Sequence, residues 1–278
     1  MTNESASGLL DLLANDLTLP GSLETLRNTY KSAKPFPHVV IDNLFSAEIL
    51  ERLLQESQTM RQDQWLKVEQ DGLEKTVRMR SGVDVGSAGS EFVGLLHSAA
   101  FLYLLSEITG VWQLLPDPYL QGGGHALMRR GGFFKVHSDR SIAYETGLTR
   151  RLAMIVFLNK EWQSAYGGQL ELWNHAATAC EASIEPAFNR TILFEVAYPN
   201  YHGVPTPLTC PEGQLRKSFL VYYHTVGIEG KQTIKPHSSI FAPGFYKREK
   251  SPVHLLTKQI TPPFLINMLR KIRDLKKD

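Results

Sequence analysis

Apolar residues recur along this chain with two different periods. Over 47–57 and 90–109 they return every three or four positions, the spacing of helices that bury one face against a sheet. Leu152-Ala153-Met154-Ile155-Val156-Phe157-Leu158 is instead an unbroken apolar run of strand length, which predicts a central strand buried on both faces. Gln169-Leu170-Glu171-Leu172-Trp173 alternates, as a half-exposed strand does. Thr191-Ile192-Leu193-Phe194-Glu195-Val196-Ala197 is a further strand, followed by a turn at His202, and the aromatic and β-branched stretch 216–225 is the strand after it. The pattern predicts a mainly β fold with flanking helices.

Polar residues inside these strands carry the candidate chemistry. Successive side chains alternate across a strand, so His137 and Asp139 point the same way and can chelate one ion, while Ser138 points away. Arg216 and Ser218 share a face by the same rule, and a guanidinium fork beside a hydroxyl suits one end of a dicarboxylate. Taken alone, a His-x-Asp fits a surface pair or a His–carboxylate hydrogen bond as well as a metal site. His202 is one of 9 histidines, and His38, His97, His175, His237 and His254 read as ordinary core or surface residues. The order carries the weight: His-x-Asp, a long strand-rich interval, His202, then a basic residue two before a serine on the next strand. Two imidazoles and one carboxylate can occupy a single face of a divalent iron, leaving three positions open for a chelating co-substrate and O2.

With these motifs the chain resembles the non-haem iron, 2-oxoglutarate-dependent dioxygenases, in particular the prolyl-4-hydroxylase-like branch. The likeness runs from about 34 to 225. It opens with Pro35-Phe36-Pro37-His38-Val39-Val40-Ile41-Asp42-Asn43-Leu44-Phe45 and continues through Gly131-Gly132-Phe133-Phe134-Lys135-Val136-His137-Ser138-Asp139. Phe157-Leu158-Asn159-Lys160-Glu161-Trp162, Gly167-Gly168-Gln169-Leu170-Glu171-Leu172, His202-Gly203-Val204-Pro205 and Arg216-Lys217-Ser218 follow in order. The resemblance implies that His137, Asp139 and His202 ligate Fe(II) and that Arg216, helped by Ser218, binds the distal carboxylate of 2-oxoglutarate. It also implies a double-stranded β-helix, a jelly-roll, cupin-like fold with the ligands at one mouth of the barrel, where pockets are expected. Oxidative decarboxylation of 2-oxoglutarate with O2 would then be coupled to hydroxylation of an unactivated C–H bond, with ascorbate as a stimulant. Halogenating relatives carry a small residue where this chain has Asp139, so Asp139 implies hydroxylation or a related desaturation or cyclisation. The chain departs from the pattern in two places. Phe157 stands where many relatives have a tyrosine, and the interval from His202 to Arg216 is longer, with a turn at Thr209-Cys210-Pro211-Glu212-Gly213. Tyr222, Arg151 and His125 are the candidates for the remaining co-substrate contacts.

Length and composition fit one domain over 1–278, with a catalytic core at 34–226 and an extension at 227–278. The net charge of +2 and the lack of a basic stripe across the middle imply no nucleic-acid partner. Two cysteines, Cys180 and Cys210, make no disulfide framework. The first ten residues lack a basic n-region and a long apolar run, and no segment approaches the ~20 apolar residues of a membrane span, so a cytoplasmic location is expected. Loops at 121–125, 129–132 and 140–150 are expected to rim the barrel mouth, either as a cationic substrate rim or as glycine turns with solvated arginines; 65–80 receives no role. Near the C-terminus, Pro262 and Pro263 start a basic amphipathic helix that can dock on the core, on a second copy as a homodimer, or on an anionic membrane.

A small-molecule, amino-acid or carrier-linked substrate is expected, with protein prolyl residues as the alternative. Two other classes share the ligand set: a zinc-dependent hydrolase, since zinc accepts His and Asp, and a catalytically silent metal or 2-oxoglutarate sensor.

Overall fold

The computed structural model describes residues 23–228 and 236–245. The chain divides into Met1–Phe245 and Tyr246–Asp278, and every described residue falls in the first. The helix expected after Pro262 lies outside the described residues.

Among the described residues, twelve strands form one antiparallel sheet. They are β1 His38–Asp42, β2 Trp65–Gln70, β3 Glu74–Met79, β4 Gly124–Met128, β5 Phe133–Ser138, β6 Thr149–Phe157, β7 Leu170–Trp173, β8 Cys180–Ile184, β9 Arg190–Glu195, β10 Tyr201–Val204, β11 Arg216–Thr225 and β12 Ile240–Phe241. Spatial order is β1-β9-β6-β11-β4-β3-β5-β10-β7-β8, with β2 on β3 and β12 on β5. The sheet curls so that β9, β6, β11 and β4 make one wall and β5, β10, β7 and β8 the other. Strand β3 joins them: Val77 and Arg78 lie opposite Leu127 and Ala126 of β4, whereas Glu74 and Lys75 lie opposite Phe134 and Phe133 of β5. This is a double-stranded β-helix. The segment 65–80, which the sequence left without a role, is the β2–β3 hairpin that completes it.

Strand β6 sits between β9 and β11, as its apolar run predicts, and is buried apart from the half-buried Arg151 and Ile155. Its alternation serves two cores. Leu152, Met154 and Val156 meet Phe219, Val221 and Tyr223 of β11 under the helices, while Ala153 and Phe157 face Leu172, Phe194 and Val204 between the walls.

The helices are α1 Leu23–Ser32, α2 Ala47–Thr59, α3 Gly86–Leu96 and α4 Ala99–Thr109. Ser46 caps α2 by accepting from the Ile49 amide, and α4 ends at Gly110 in the left-handed conformation. The single helix expected over 90–109 is two. The Ser98 hydroxyl accepts the Phe101 amide at 3.1 Å and starts a new helix, bent by 53° from α3. The bend lets both Phe92 and Phe101 reach Phe45, at ring distances of 4.9 and 6.1 Å. Phe92 also meets Phe219 of β11 edge-on at 5.5 Å, so this aromatic chain pins helices to sheet with about 0.5–1.5 kcal/mol per pair beyond burial. No single described helix is long and apolar enough to cross a membrane, and α3 with α4, which together reach that length and composition, are buried against the core.

Candidate metal and co-substrate site

His137 lies near the end of β5, Asp139 one residue past it, and His202 directly opposite His137 on β10. Gly203 makes that pairing close: a Cβ there would stand 2.8 Å from the Phe134 carbonyl oxygen and 3.0 Å from backbone atoms of Val136. His137 Nε2 is 3.5 Å from Asp139 Oδ1 and His202 Nε2 is 3.6 Å from Asp139 Oδ2. One donor atom from each residue falls within 4.8 Å of the others, and among the described residues no other group of three His, Cys, Asp or Glu side chains does so. All three residues are buried. Ser138 points away, as expected, donating to the Ala197 carbonyl.

The surroundings prepare these donors for a cation. The His137 ring stacks on Phe134 at 3.8 Å, and its Nδ1 sits 2.8 Å from the Lys135 carbonyl. A carbonyl only accepts, so Nδ1 carries the proton and the Nε2 lone pair is left for the metal. Burial lowers the His202 pKa to about 4, His137 adding to the fall and Asp139 opposing it, so this imidazole is neutral at pH 7. Burial alone would push the Asp139 carboxyl up; His202, His137 and Arg150 outweigh it and hold it well below the usual carboxylate range. The Tyr222 hydroxyl donates to Asp139 Oδ2 at 3.0 Å. A buried carboxylate beside the neutral His202 imidazole offers ready donors to a divalent cation.

Arg216, on β11, borders the same cavity. Its Nε donates to the Gly168 carbonyl at 2.6 Å and its guanidinium carbon lies 5.1 Å from the centre of the Phe157 ring. Gly168 has φ +84°, and a Cβ there would approach Arg216 Cδ to 3.0 Å, so the backbone turn and the lack of a side chain both make room for the arginine. Burial lowers the Arg216 pKa to about 10, which leaves it cationic at neutral pH. No carboxylate pairs with it among the described residues. Leaving such a charge uncompensated is costly, and an anion in the cavity relieves the cost. Ser218, on the same face, borders the cavity beside it. The departure at Phe157 thus has a place: an aromatic floor under the guanidinium.

Two sequence expectations are corrected. Arg151 does not face the cavity. Leu152 pairs with Tyr223 but Arg150 pairs with His224, so Arg151 is the extra residue of a β-bulge. The bulge resets the alternation: Arg150 turns to the cavity and Arg151 lies near Trp112 and Thr225. His125 pairs with Phe219 and meets its ring edge-on at 5.0 Å, on the helix side of β11, whereas its neighbour Ala126 pairs with Ser218 on the cavity side. Tyr222 faces the cavity as expected. Gln121 and Arg150, from the 121–125 and 140–150 segments expected at the barrel mouth, also line it, as does Arg78, which was not singled out from sequence.

The off-site histidines make a testable statement about acid. His125 and His224 are buried, and burial lowers both from the ordinary 6.5 to about 4, with Lys217 adding to the fall at His125 and Asp117 opposing it at His224. An unfolded chain protonates them near 6.5 and the folded chain only near 4, so between these values the unfolded state binds more protons. Stability therefore falls as pH drops through this window. The urea midpoint of the ligand-free protein is expected to be lower at pH 5 than at pH 7; an equal or higher midpoint at pH 5 contradicts the burial of these rings.

Residues 123–224 match the family model of the 2OG-Fe(II) oxygenase superfamily. This stretch is similar to a 2OG-Fe(II) oxygenase domain. It spans every residue of the cation trio and Arg216. The oxygenase fold is similar to that of a prolyl-4-hydroxylase from Pseudomonas putida, at 18% identity and a TM-score of 0.51 over 73% of this chain and 98% of that one. A prolyl hydroxylase from Trichoplax adhaerens, in complex with a hypoxia inducible factor oxygen degradation domain peptide fragment, aligns at 17% identity and 0.53 over 81% and 94%. A 2OG-Fe(II) oxygenase family oxidoreductase from Burkholderia pseudomallei aligns at 14% and 0.54 over 73% and 91%. At such identities the likeness is one of fold. No curated protein sequence matches the chain. Enzymes of this superfamily are dioxygenases that use Fe(II) and 2-oxoglutarate, and the donor set and the uncompensated arginine described above suit both.

Proposed function

We propose that this protein is an Fe(II)/2-oxoglutarate-dependent hydroxylase in which His137, Asp139 and His202 hold the iron and Arg216, with Ser218, holds the distal carboxylate of 2-oxoglutarate. Bound Fe(II) and 2-oxoglutarate, with O2, supply the oxidising power for an unactivated C–H bond, the co-substrate leaving as succinate and CO2. The single observation that carries this reading is the buried, acid-free Arg216 bordering the cavity of the cation trio. A zinc hydrolase has no use for a guanidinium held in this way.

The chain's own residues orient and shield. Phe134 and the Lys135 carbonyl set the His137 ring, Tyr222 fixes one oxygen of Asp139, and Gly168 and Phe157 aim Arg216. The substrate in this reading is a small or carrier-linked molecule, which the side chains from β3, β11 and the 140–150 segment bordering one cavity would contact together. Two free cysteines, Cys180 exposed and Cys210 buried, and the need to keep iron reduced suit a cytoplasmic setting.

Fe(II) and 2-oxoglutarate added to the protein without oxygen are expected to give the weak visible charge-transfer band of the chelate. Iron binding with no band replaces this reading with the hydrolase or the sensor. With the band established, succinate release across amino acids, metabolites and proline-containing peptides separates the substrate classes; stimulation by peptides alone selects the protein hydroxylase.

A further inference from the structure

The cavity is bordered by four arginines, Arg78, Arg140, Arg150 and Arg216. Arg78 is neutralised by Glu74, and Arg216 is assigned above to the co-substrate. Arg140 and Arg150 are left with no ion pair among the described residues. The Nε of each is buried without a hydrogen-bond partner.

Both guanidinium groups are held by neutral supports. Arg150 is 5% exposed, lies over the Tyr222 ring with its guanidinium carbon 3.8 Å from the centroid, and donates through Nη2 to the Gln121 carbonyl. Gly122, at φ +72°, passes close beside it: a Cβ there would come within 3.5 Å of Nη2. Arg140 directly follows Asp139 and lies 3.8 Å over the Tyr144 ring. Both side chains border the one cavity. Adjacent cations fixed on aromatic faces, with donors unused, match the planar, bidentate recognition of an oxyanion. The nearby carboxylate, Asp139, is committed to the metal.

Position separates this pair from Arg216. Tyr222, which carries Arg150, lies about 20 Å along β11 from Arg216 at ~3.3 Å per residue, so the two cationic centres mark opposite ends of the cavity. Resting on the oxygenase reading, we propose that the primary substrate carries a carboxylate or phosphate group and that Arg140 and Arg150 seat it beside the iron. A neutral substrate would leave both cations at the cavity without a counter-charge.

The test titrates inorganic phosphate, and separately acetate, by calorimetry into the full-length protein holding Fe(II) and saturating 2-oxoglutarate under nitrogen. At least one anion is expected to bind, the preferred one telling phosphate from carboxylate. Arg140→Gln weakens it about 10-fold or more, and Arg150→Lys, which keeps the charge and the fold but loses the fork, weakens it too. No binding of either anion, or binding indifferent to both substitutions, overturns the proposal. So does binding lost only in Arg216→Gln. If 2-oxoglutarate itself fails to bind the wild type while phosphate still binds in an Arg140-dependent way, the co-substrate reading falls and the anion seat stands.

Discussion

Asp139→Asn leaves a folded protein whose Fe(II)-supported release of succinate from 2-oxoglutarate is more than about 100-fold below wild type. Loss of a group that merely supports a metal ligand costs about 10–100-fold, and Asp139 is the one anion among the three donors, so its loss exceeds that range. Asparagine keeps the volume and an oxygen for the Tyr222 hydroxyl, which donates to Asp139 at 3.0 Å. Alanine would strand that hydroxyl at about 1–3 kcal/mol, which is why asparagine is the cleaner variant. Fe(II) affinity and succinate release, measured alongside the thermal midpoint, decide the matter. Turnover within 10-fold of wild type in a normally stable Asp139→Asn protein removes Asp139 from the ligand set.

Arg216→Met moves two quantities in opposite directions. Truncating one member of a buried, hydrogen-bonded charge pair costs about 2–5 kcal/mol of binding, so the 2-oxoglutarate requirement rises at least about 30-fold. The ligand-free protein, by contrast, gains stability, because a buried cation without a counter-charge is replaced by an apolar chain of similar length over Phe157. A higher melting temperature without co-substrate, together with a smaller rise when 2-oxoglutarate is added, is the signature of an arginine kept for its ligand. A variant that binds 2-oxoglutarate as wild type does assigns the distal carboxylate elsewhere. Arg216→Lys recovers only part of the affinity, since an ammonium cannot match the fork.

The parts of the site that were legible in sequence are those governed by local geometry. His137 with Asp139, and Arg216 with Ser218, need only the two-residue repeat of a strand, and both pairs share a face as that repeat requires. The continuous run 152–158 announced the central strand because a strand covered on both faces has no polar side to show. What was not legible depends on partners far away in the chain. Which face of β4 looks inward follows from its register with β11, and that register puts His125 with Phe219 rather than with Ser218. Arg150 and Arg151 exchange expected roles because one extra residue is accommodated in β6 opposite β11, which no neighbouring residue type signals. The break between α3 and α4 carried a local signal at Ser98, overridden in the sequence reading by apolar spacing that continues on both sides.

Strand β3 changes partners half-way along its six residues, from β5 at Glu74 and Lys75 to β4 at Val77 and Arg78, and the same strand lends Thr76 and Arg78 to the cavity wall. For lineages that diverge in what they oxidise, this has a cost of pleiotropy. A new side chain at position 78 that admits a different substrate also releases Glu74 from its ion pair at the seam between the walls, so selectivity gained there is inherited with a weakened scaffold. Arg140, on the segment between β5 and β6, carries no such burden, and position 140 is free to drift first.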